Sequence, residues 1–436
     1  MVHLPEDFVR ETRRTMGDER FERYLKAFEE EPPVSIRLNP RKVESEGWKV
    51  EGGEPVPWCS NGYYLSRRPN FTMDPLLHAG CYYVQEASSM FLWHVLNDSS
   101  FIIATSFSLL ARDPFGVLHS SFKALDLCAA PGGKSTLLRS LLPEDCTLIS
   151  NEPIRNRYQV LAENVQKWGY PNHIVTNLYP RDFVKSKQRF DLILCDVPCS
   201  GEGMFRKDAA TISEWSLKNV ERCQQLQREI VGDAWKCLND GGLLIYSTCT
   251  FNTKENEENV RWMMDELGAE VQPVAIKPEW NITGSLLEGF TAPVYRFIPG
   301  ITRGEGLFMA VMRKKIETHP QPLPEWRGGN TQRATKRGSH GNPSPPSQGG
   351  VGGGSSAGGA LSLTYPQAIS YLRGEALTLP DDTPRGLVTV TFMGYPLGQV
   401  KNIGSRANNL YPKAWRIRTT HVPDEYVPIL NKRITQ

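Results

Sequence analysis

The segment "KALDLCAAPGGKSTLLRSLL", residues 123–142, limits the fold more than any other stretch of the chain. Ala124 to Leu127 reads as a buried strand, Pro131-Gly132-Gly133 turns the chain sharply, and "KSTLLRSLL" continues as a helix. A strand that enters a helix through a glycine turn is the opening unit of a doubly wound α/β sheet. Its turn forms a nucleotide-type pocket, because the first amides of the helix point at the ligand. Gly133-Lys134-Ser135 also imitates the end of a triphosphate loop. That loop needs Gly-x-x-x-x-Gly-Lys-Ser/Thr, and the position of its first glycine holds Cys128.

The strands that follow end in residues able to line the same crevice. "TLISNE" ends at Glu152, 19 residues past Gly133, where an acid can accept hydrogen bonds from ribose hydroxyls. Pro153 then opens a helix with Val160, Leu161, Val165 and Trp168 on its apolar side, closed by Gly169. "DLILCD" ends at Asp196, where a magnesium-binding acid stands in nucleotide hydrolases, yet the next residues are "VPCSGEGMFRKD". A further strand, "GGLLIYST", is followed at once by Cys249. In an open parallel sheet, ligands bind beyond the carboxyl ends of the strands, so Cys199 and Cys249 are expected to face one crevice. A lone cysteine is usually a small buried hydrophobe. Two thiols at neighbouring strand ends, each in a polar turn, call for a chemical role.

Such a pair suits methylation of cytosine at C5, a carbon too weakly nucleophilic to take a methyl group directly. A thiolate that adds to C6 makes C5 enamine-like. A base must then remove the C5 proton so that the thiol can leave. Asp196, beside Pro198-Cys199, is placed to hydrogen-bond the N3/N4 edge of the base. The target must be unstacked, either single-stranded or flipped. Spacing alone does not say which thiol attacks.

The composition narrows the setting. At 436 residues the chain is expected to hold two or three domains, and a formal net charge of +2 confines any nucleic-acid surface to a local patch. Nine cysteines without a CxxC pair, and the charged opening "MVHLPEDFVRETRR", predict free thiols in a reducing cytoplasm. The eight histidines show no metal-ligand spacing, so no metal is expected. "FIIATSFSLL", 101–110, is about half a membrane span. A soluble monomer is expected.

The motifs "DLCAAPGGKST", "DVPCSGEGMFRKD" and "YSTCTFNTKENE", with "GCYYVQEASSM" at 80–90 and "TRGEGLFMAVMRK" at 302–314, resemble those of the NOL1/NOP2/Sun family of RNA 5-methylcytosine methyltransferases. The resemblance implies a Rossmann-like class I methyltransferase sheet, with Cys249 as nucleophile and Cys199 assisting product release. Cysteine-dependent DNA methyltransferases attack from the Pro-Cys motif instead, which would exchange the two roles. It also implies S-adenosylmethionine on Cys128, Ala129, Ala130, Pro131, Gly132, Gly133 and Lys134. Glu152 would hold the ribose, Asp196 would lie near the methionine end, and Lys134 would face donor and base. Where the family has an acid near the adenine, this chain has Tyr179 in "TNLYPRDF", leaving Asn177 or Asp182 to make that contact. The implied substrate is ribosomal RNA, most of all 16S RNA or the small subunit carrying it. A catalytically idle RNA-binding assembly factor is the rival reading, and a nucleotide hydrolase is disfavoured by Cys128 and "VPCSG".

Four parts are expected along the chain. Residues 1–79 form an N-terminal α/β RNA-binding segment, with a helix in "DERFERYLKAFEEE" and Arg37, Arg41 and Lys42 in "SIRLNPRK" as RNA contacts. Residues 80–316 form the catalytic domain, interrupted by a variable excursion at 91–122. Its helix near 217–238 should bury Leu217, Val220, Leu226, Ile230 and Ala234. Residues 317–360 form a flexible linker, since 328–360 alone holds 11 of the chain's 37 glycines. Residues 361–436 form a small β-rich domain, similar to the PUA-like module of a bacterial branch of the family. There Lys401, Arg406, Lys413, Arg416 and Arg418, interleaved with Tyr411 and Trp415, offer phosphate contacts and stacking surfaces.

Overall fold

The structure, a computed structural model, describes residues 2–43, 47–97, 122–316 and 360–432, apart from 405, 420 and 424. The linker and most of the 91–122 excursion therefore lie outside the described residues, although 91–97 form a helix.

Two helices, Glu6–Met16 and Asp18–Lys26, begin the chain. Each has acids in its first turn and basic residues in its last, matching the helix dipole. They bury Phe8, Met16, Phe21 and Tyr24 against Phe205, Trp215 and Phe251 of the catalytic domain. Strands β1 (Val34–Leu38), β2 (Trp48–Val50), β3 (Glu54–Val56), β4 (Cys59–Leu65) and β5 (Tyr82–Val84) follow. They form an antiparallel sheet ordered β3-β4-β1-β5, while β2 pairs elsewhere. Since Ile36 pairs with Val84 in this sheet, the N-terminal unit runs past residue 79 and takes in "YYV" from the "GCYYVQEASSM" motif.

The central sheet is built from β6 (Lys123–Asp126), β7 (Thr147–Asn151), β8 (His173–Thr176), β9 (Phe190–Asp196), β10 (Leu238–Thr248), β11 (Glu270–Val271), β12 (Tyr295–Phe297) and β13 (Leu307–Arg313). The order is β11-β13-β10-β9-β6-β7-β8, with β12 beside β13. β8, β7, β6, β9 and β10 run parallel, and β13 is antiparallel to β10. Strand order reverses between β6 and β9, where an open sheet leaves its crevice. Both faces are buried, which explains the nearly unbroken apolar runs in β9, β10 and β13. In the helix Arg155–Trp168, Leu161, Val165 and Trp168 are buried and Gly169 closes the turn, but Val160 is exposed. In the helix Leu217–Cys237, Leu226 is 42% exposed while Gln227 is fully buried.

The C-terminal module pairs β14 (Leu361–Ser362), β15 (Gly386–Phe392), β16 (Tyr395–Asn402) and β17 (Ala407–Asn409) in one sheet, beside the helix Tyr365–Arg373. It does not stand apart. β18 (Leu430–Lys432) pairs with β2, Tyr395 donates to the Lys42 carbonyl at 2.9 Å, and one apolar core runs from Ile36 and Trp48 to Val390 and Tyr411. No helix among the described residues is long and apolar enough to cross a membrane.

Candidate active site

The strand β6, the turn Leu127–Gly132 and the helix Gly133–Leu141 form the expected strand–turn–helix unit. Gly132 is the N-cap with φ 115°, a left-handed conformation that glycine adopts at little cost, and the helix has no side-chain cap. Its first amides therefore remain available to a ligand. The loop is fixed from outside itself: Ala129 N donates to Asn151 O at 2.8 Å, Arg157 to Ala130 O at 3.0 Å and Asn164 to Pro131 O at 2.8 Å. Cys128 is half-buried, and burial pushes its thiol well above the ordinary range, as expected of a packing residue whose backbone shapes the turn. Beneath the loop, buried Asp126 accepts from Ser135 at 2.5 Å, and its pKa is pushed up to about 7, chiefly by burial.

Glu152 lies just past β7. It is 1% exposed, receives the Ile154 amide at 3.0 Å, and stands 3.5 Å from Arg157. Asn177 donates to the Glu152 carbonyl at 2.6 Å, which joins the ends of β7 and β8. Asp182 accepts from the Tyr179 amide at 3.0 Å and so caps its own helix, while the Tyr179 side chain is exposed.

At the ends of β9 and β10, Ser247 pairs with Asp196 in parallel register, which aligns the two cysteine turns. The sulfurs of Cys199 and Cys249 are 3.1 Å apart, both half-buried, and Cys249 N donates to Cys199 Sγ at 3.4 Å. The hydrogen bond with Cys249 and burial together raise the Cys199 pKa well above the ordinary range, so Cys199 keeps its proton. Lys134 Nζ lies 2.8 Å from Asp196 Oδ2, and Ser247 donates to the other carboxylate oxygen at 2.7 Å. Burial opposes the Lys134 charge, but Asp196 outweighs it and the net shift is upward. Gly203 packs on the Cys249 carbonyl so closely that a Cβ there would lie 2.6 Å from the oxygen. A cleft of about 680 Å³ opens beside Cys199, bounded by Ser200, Asn219, Arg222 and the exposed Leu226.

Four expected RNA contacts are displaced. Arg37 is fully buried: its guanidinium donates to Gln85 at 2.8 Å, Thr136 at 2.7 Å and Gly133 O at 3.2 Å, and lies over Trp168. It braces the glycine loop from the N-terminal sheet and presents no surface to RNA. Lys42 likewise donates to the Ala79 and Lys167 carbonyls, at 2.6 and 2.8 Å. Tyr411 is 3% exposed and packs on Tyr371, and Arg416 packs against Gly374. Arg41, Lys401, Arg406, Lys413 and Arg418 are exposed, and Trp415 is half-buried. Alternation of charge with aromatics suggested a stacking face. The missed signal was the local apolar spacing of Tyr411 and Ile417, which belong to the core.

Family models match three parts of the chain: the N-terminal domain of 16S rRNA methyltransferase RsmF at residues 4–87, 16S rRNA methyltransferase RsmB/F at 118–313, and the RsmF PUA domain at 359–417. Ribosomal RNA small subunit methyltransferase F of Cronobacter sakazakii is 31% identical over 346 residues, covering 75% of this chain and 67% of that protein. The Serratia proteamaculans protein of the same name is 30% identical over 345 residues, with the same coverage. A methyltransferase homologue from Pyrococcus horikoshii superposes with a TM-score of 0.57 at 25% identity, covering 72% of this chain and 96% of that one. NSun6 from the same organism, at 21% identity and a TM-score of 0.54 over 71% of this chain and 98% of that one, shares the fold. Matched along its N-terminal, catalytic and C-terminal parts, the chain belongs to the ribosomal RNA small subunit methyltransferase F family.

Proposed function

We propose that this protein methylates cytosine at C5 in 16S ribosomal RNA, through a covalent bond between Cys249 and C6 of the base. The observation that carries this reading is the pair of free thiols 3.1 Å apart, beside the Lys134–Asp196 ion pair at the crevice of the sheet. The family of the chain, and the RNA named in its relatives, support the substrate.

The pocket suits S-adenosylmethionine. The helix start at Gly133 has no side-chain cap, so its amides would receive the carboxylate; Glu152 would hold the ribose, and Asn177 or Asp182 would contact the adenine. When bound, that cofactor supplies an electrophilic methyl group. Cys249, deprotonated, adds to C6, and the C5–C6 electron pair moves toward the N3/N4 edge, where Lys134 holds the developing negative charge and Asp196 accepts from the N4 amino group. Once C5 is methylated, a base such as a water in the crevice takes the C5 proton. The C–H electron pair re-forms the C5–C6 double bond, and the C6–S bond breaks to release Cys249 as a thiolate. Cys199, kept as a thiol against that sulfur, assists the release. Exposed Lys401, Arg406, Lys413 and Arg418 would hold phosphates away from the crevice.

The test uses Cys199→Ala with S-adenosylmethionine and unmethylated small-subunit RNA on a denaturing gel. A protein–RNA adduct that vanishes in the Cys199→Ala/Cys249→Ala double variant supports attack by Cys249. Methylation that survives Cys249→Ala but not Cys199→Ala would reverse the roles. A wild type that binds RNA and transfers no methyl group would leave a binding factor.

A further inference from the structure

Two buried carboxylates that take no part in the proposed reaction hold the turns carrying the thiols. Glu202 is 2% exposed and receives neutral donors only: Phe251 N at 2.6 Å, Asn252 N at 3.1 Å, and Trp215 Nε1 and Asn252 Nδ2 at 3.0 Å each. Phe251 and Asn252 lie just past Cys249. Glu255, fully buried, receives Ser200 N at 3.0 Å, Gln227 Nε2 at 2.7 Å and Asn252 Nδ2 at 2.8 Å. Gln227 also donates to Pro198 O at 2.9 Å. Glu255 and Gln227 thus grip the backbone on both sides of Cys199, Glu202 grips the turn after Cys249, and the Asn252 amide bridges the carboxylates.

No ion pair among the described residues involves either acid. Burial, and then the charge of Glu202, push Glu255 up to about 7. Keeping two acids together without a cation is costly, and simple packing would be served better by apolar side chains. A carboxylate does what an amide side chain cannot: both of its oxygens accept, so each acid collects several N–H groups from different segments.

We propose that Glu202 and Glu255, bridged by Asn252, are positioning residues that set the spacing of the Cys199 and Cys249 turns. The catalytic meaning of that spacing rests on the thiol chemistry proposed above, but the spacing itself can be measured without it. Diamide joins two nearby thiols: a sulfur–sulfur bond forms, and the two electrons and two protons released reduce its azo group to a hydrazine.

The experiment takes full-length wild type, Glu202→Gln and Glu255→Gln, and also Asn252→Ala, which leaves both acids in place should a Gln variant not fold. Three quantities are read: S-adenosylhomocysteine affinity, the rate at which diamide closes the Cys199–Cys249 bond (mapped by peptide mass), and kcat and KM for methyl transfer. The expected result is unchanged cofactor affinity, closure slowed about tenfold, and kcat lowered about 10- to 100-fold with little change in KM, as for sub-ångström misplacement of reacting groups. Variants that bind cofactor and close at the wild-type rate would overturn the proposal, as would variants whose cofactor affinity falls in step with closure. If wild type transfers no methyl group, the chemical reading fails while the closure rates still decide the positioning role.

Discussion

Cys199 and Cys249 are fifty residues apart in sequence and 3.1 Å apart at their sulfurs. The parallel register of β9 with β10 sets this relationship, because pairing Asp196 with Ser247 leaves the turn after each strand at the same height above the sheet. Cys199 also borders the adjoining cleft.

Lys134 reaches the same place from the glycine loop. Lys134→Met keeps most of the side-chain volume and removes the only ion-pair partner that Asp196 has among the described residues. Single-turnover methyl transfer should fall about 100-fold, the usual scale for losing one preorganised charged group. Protein stability should change far less. Equal losses in both would mean that the pair is structural.

Asp126 predicts a pH dependence of stability. Its pKa rises from 3.8 to about 7 on folding, so between these values the folded chain holds a proton that the unfolded chain lacks. Stability from this group is therefore full below that window, declines as pH rises through it, and is level above. Buried His173, lowered to about 3, and His78, lowered to about 4, act in the opposite sense, losing stability as pH falls below the ordinary histidine range. The difference between Asp126→Asn and wild type cancels the histidines. In denaturant melts from about pH 4 to about pH 8, it should move in favour of the variant up to neutrality and then stay constant.

Docking of the C-terminal module by β18 and a shared core predicts that the linker is not what holds it. After cleavage at an engineered protease site within 328–350, the two pieces should co-elute in size exclusion without denaturant. Leu430 is fully buried in β18, so Leu430→Ala should cost about 2–5 kcal/mol and weaken that association.

The basic residues divide into two classes that respond differently. Replacing exposed Lys401, Arg406, Lys413 and Arg418 by alanine should weaken RNA binding and lower the slope of log affinity against log salt by about 0.7 for each phosphate no longer neutralised. Arg37→Gln should instead lower stability, by about 1–3 kcal/mol, because Gln85 and Thr136 lose a buried partner. A salt slope reduced by Arg37→Gln at unchanged stability would contradict this assignment.

Local chemistry made much of the catalytic unit legible. The run Ala124–Leu127, the Pro-Gly-Gly turn and the helix after it are specified by residues in contact along the chain, so β6 and its loop are found where the sequence places them. The same is true of Glu152 after β7 and of a cysteine after each of β9 and β10, since a strand that ends in a polar turn signals its own end.

Burial of individual side chains was not legible, because it depends on which distant segment covers them. Arg37 in "SIRLNPRK" and Tyr411 in "NNLYPKAW" have the composition of a surface, and they are interior only because Trp168 covers the first and Tyr371 the second. Val160 and Leu226 keep helical spacing yet face outward, and Gln227 is drawn inward to bond Glu255 and Pro198. The sequence by itself determined the strand–turn–helix units and the chemistry at their ends, since backbone conformation follows from neighbouring residues. The tertiary structure alone decided that the thiols meet, that two acids brace them and that the last strand closes on β2. Sheet register and desolvation are properties of surfaces brought together from far along the chain.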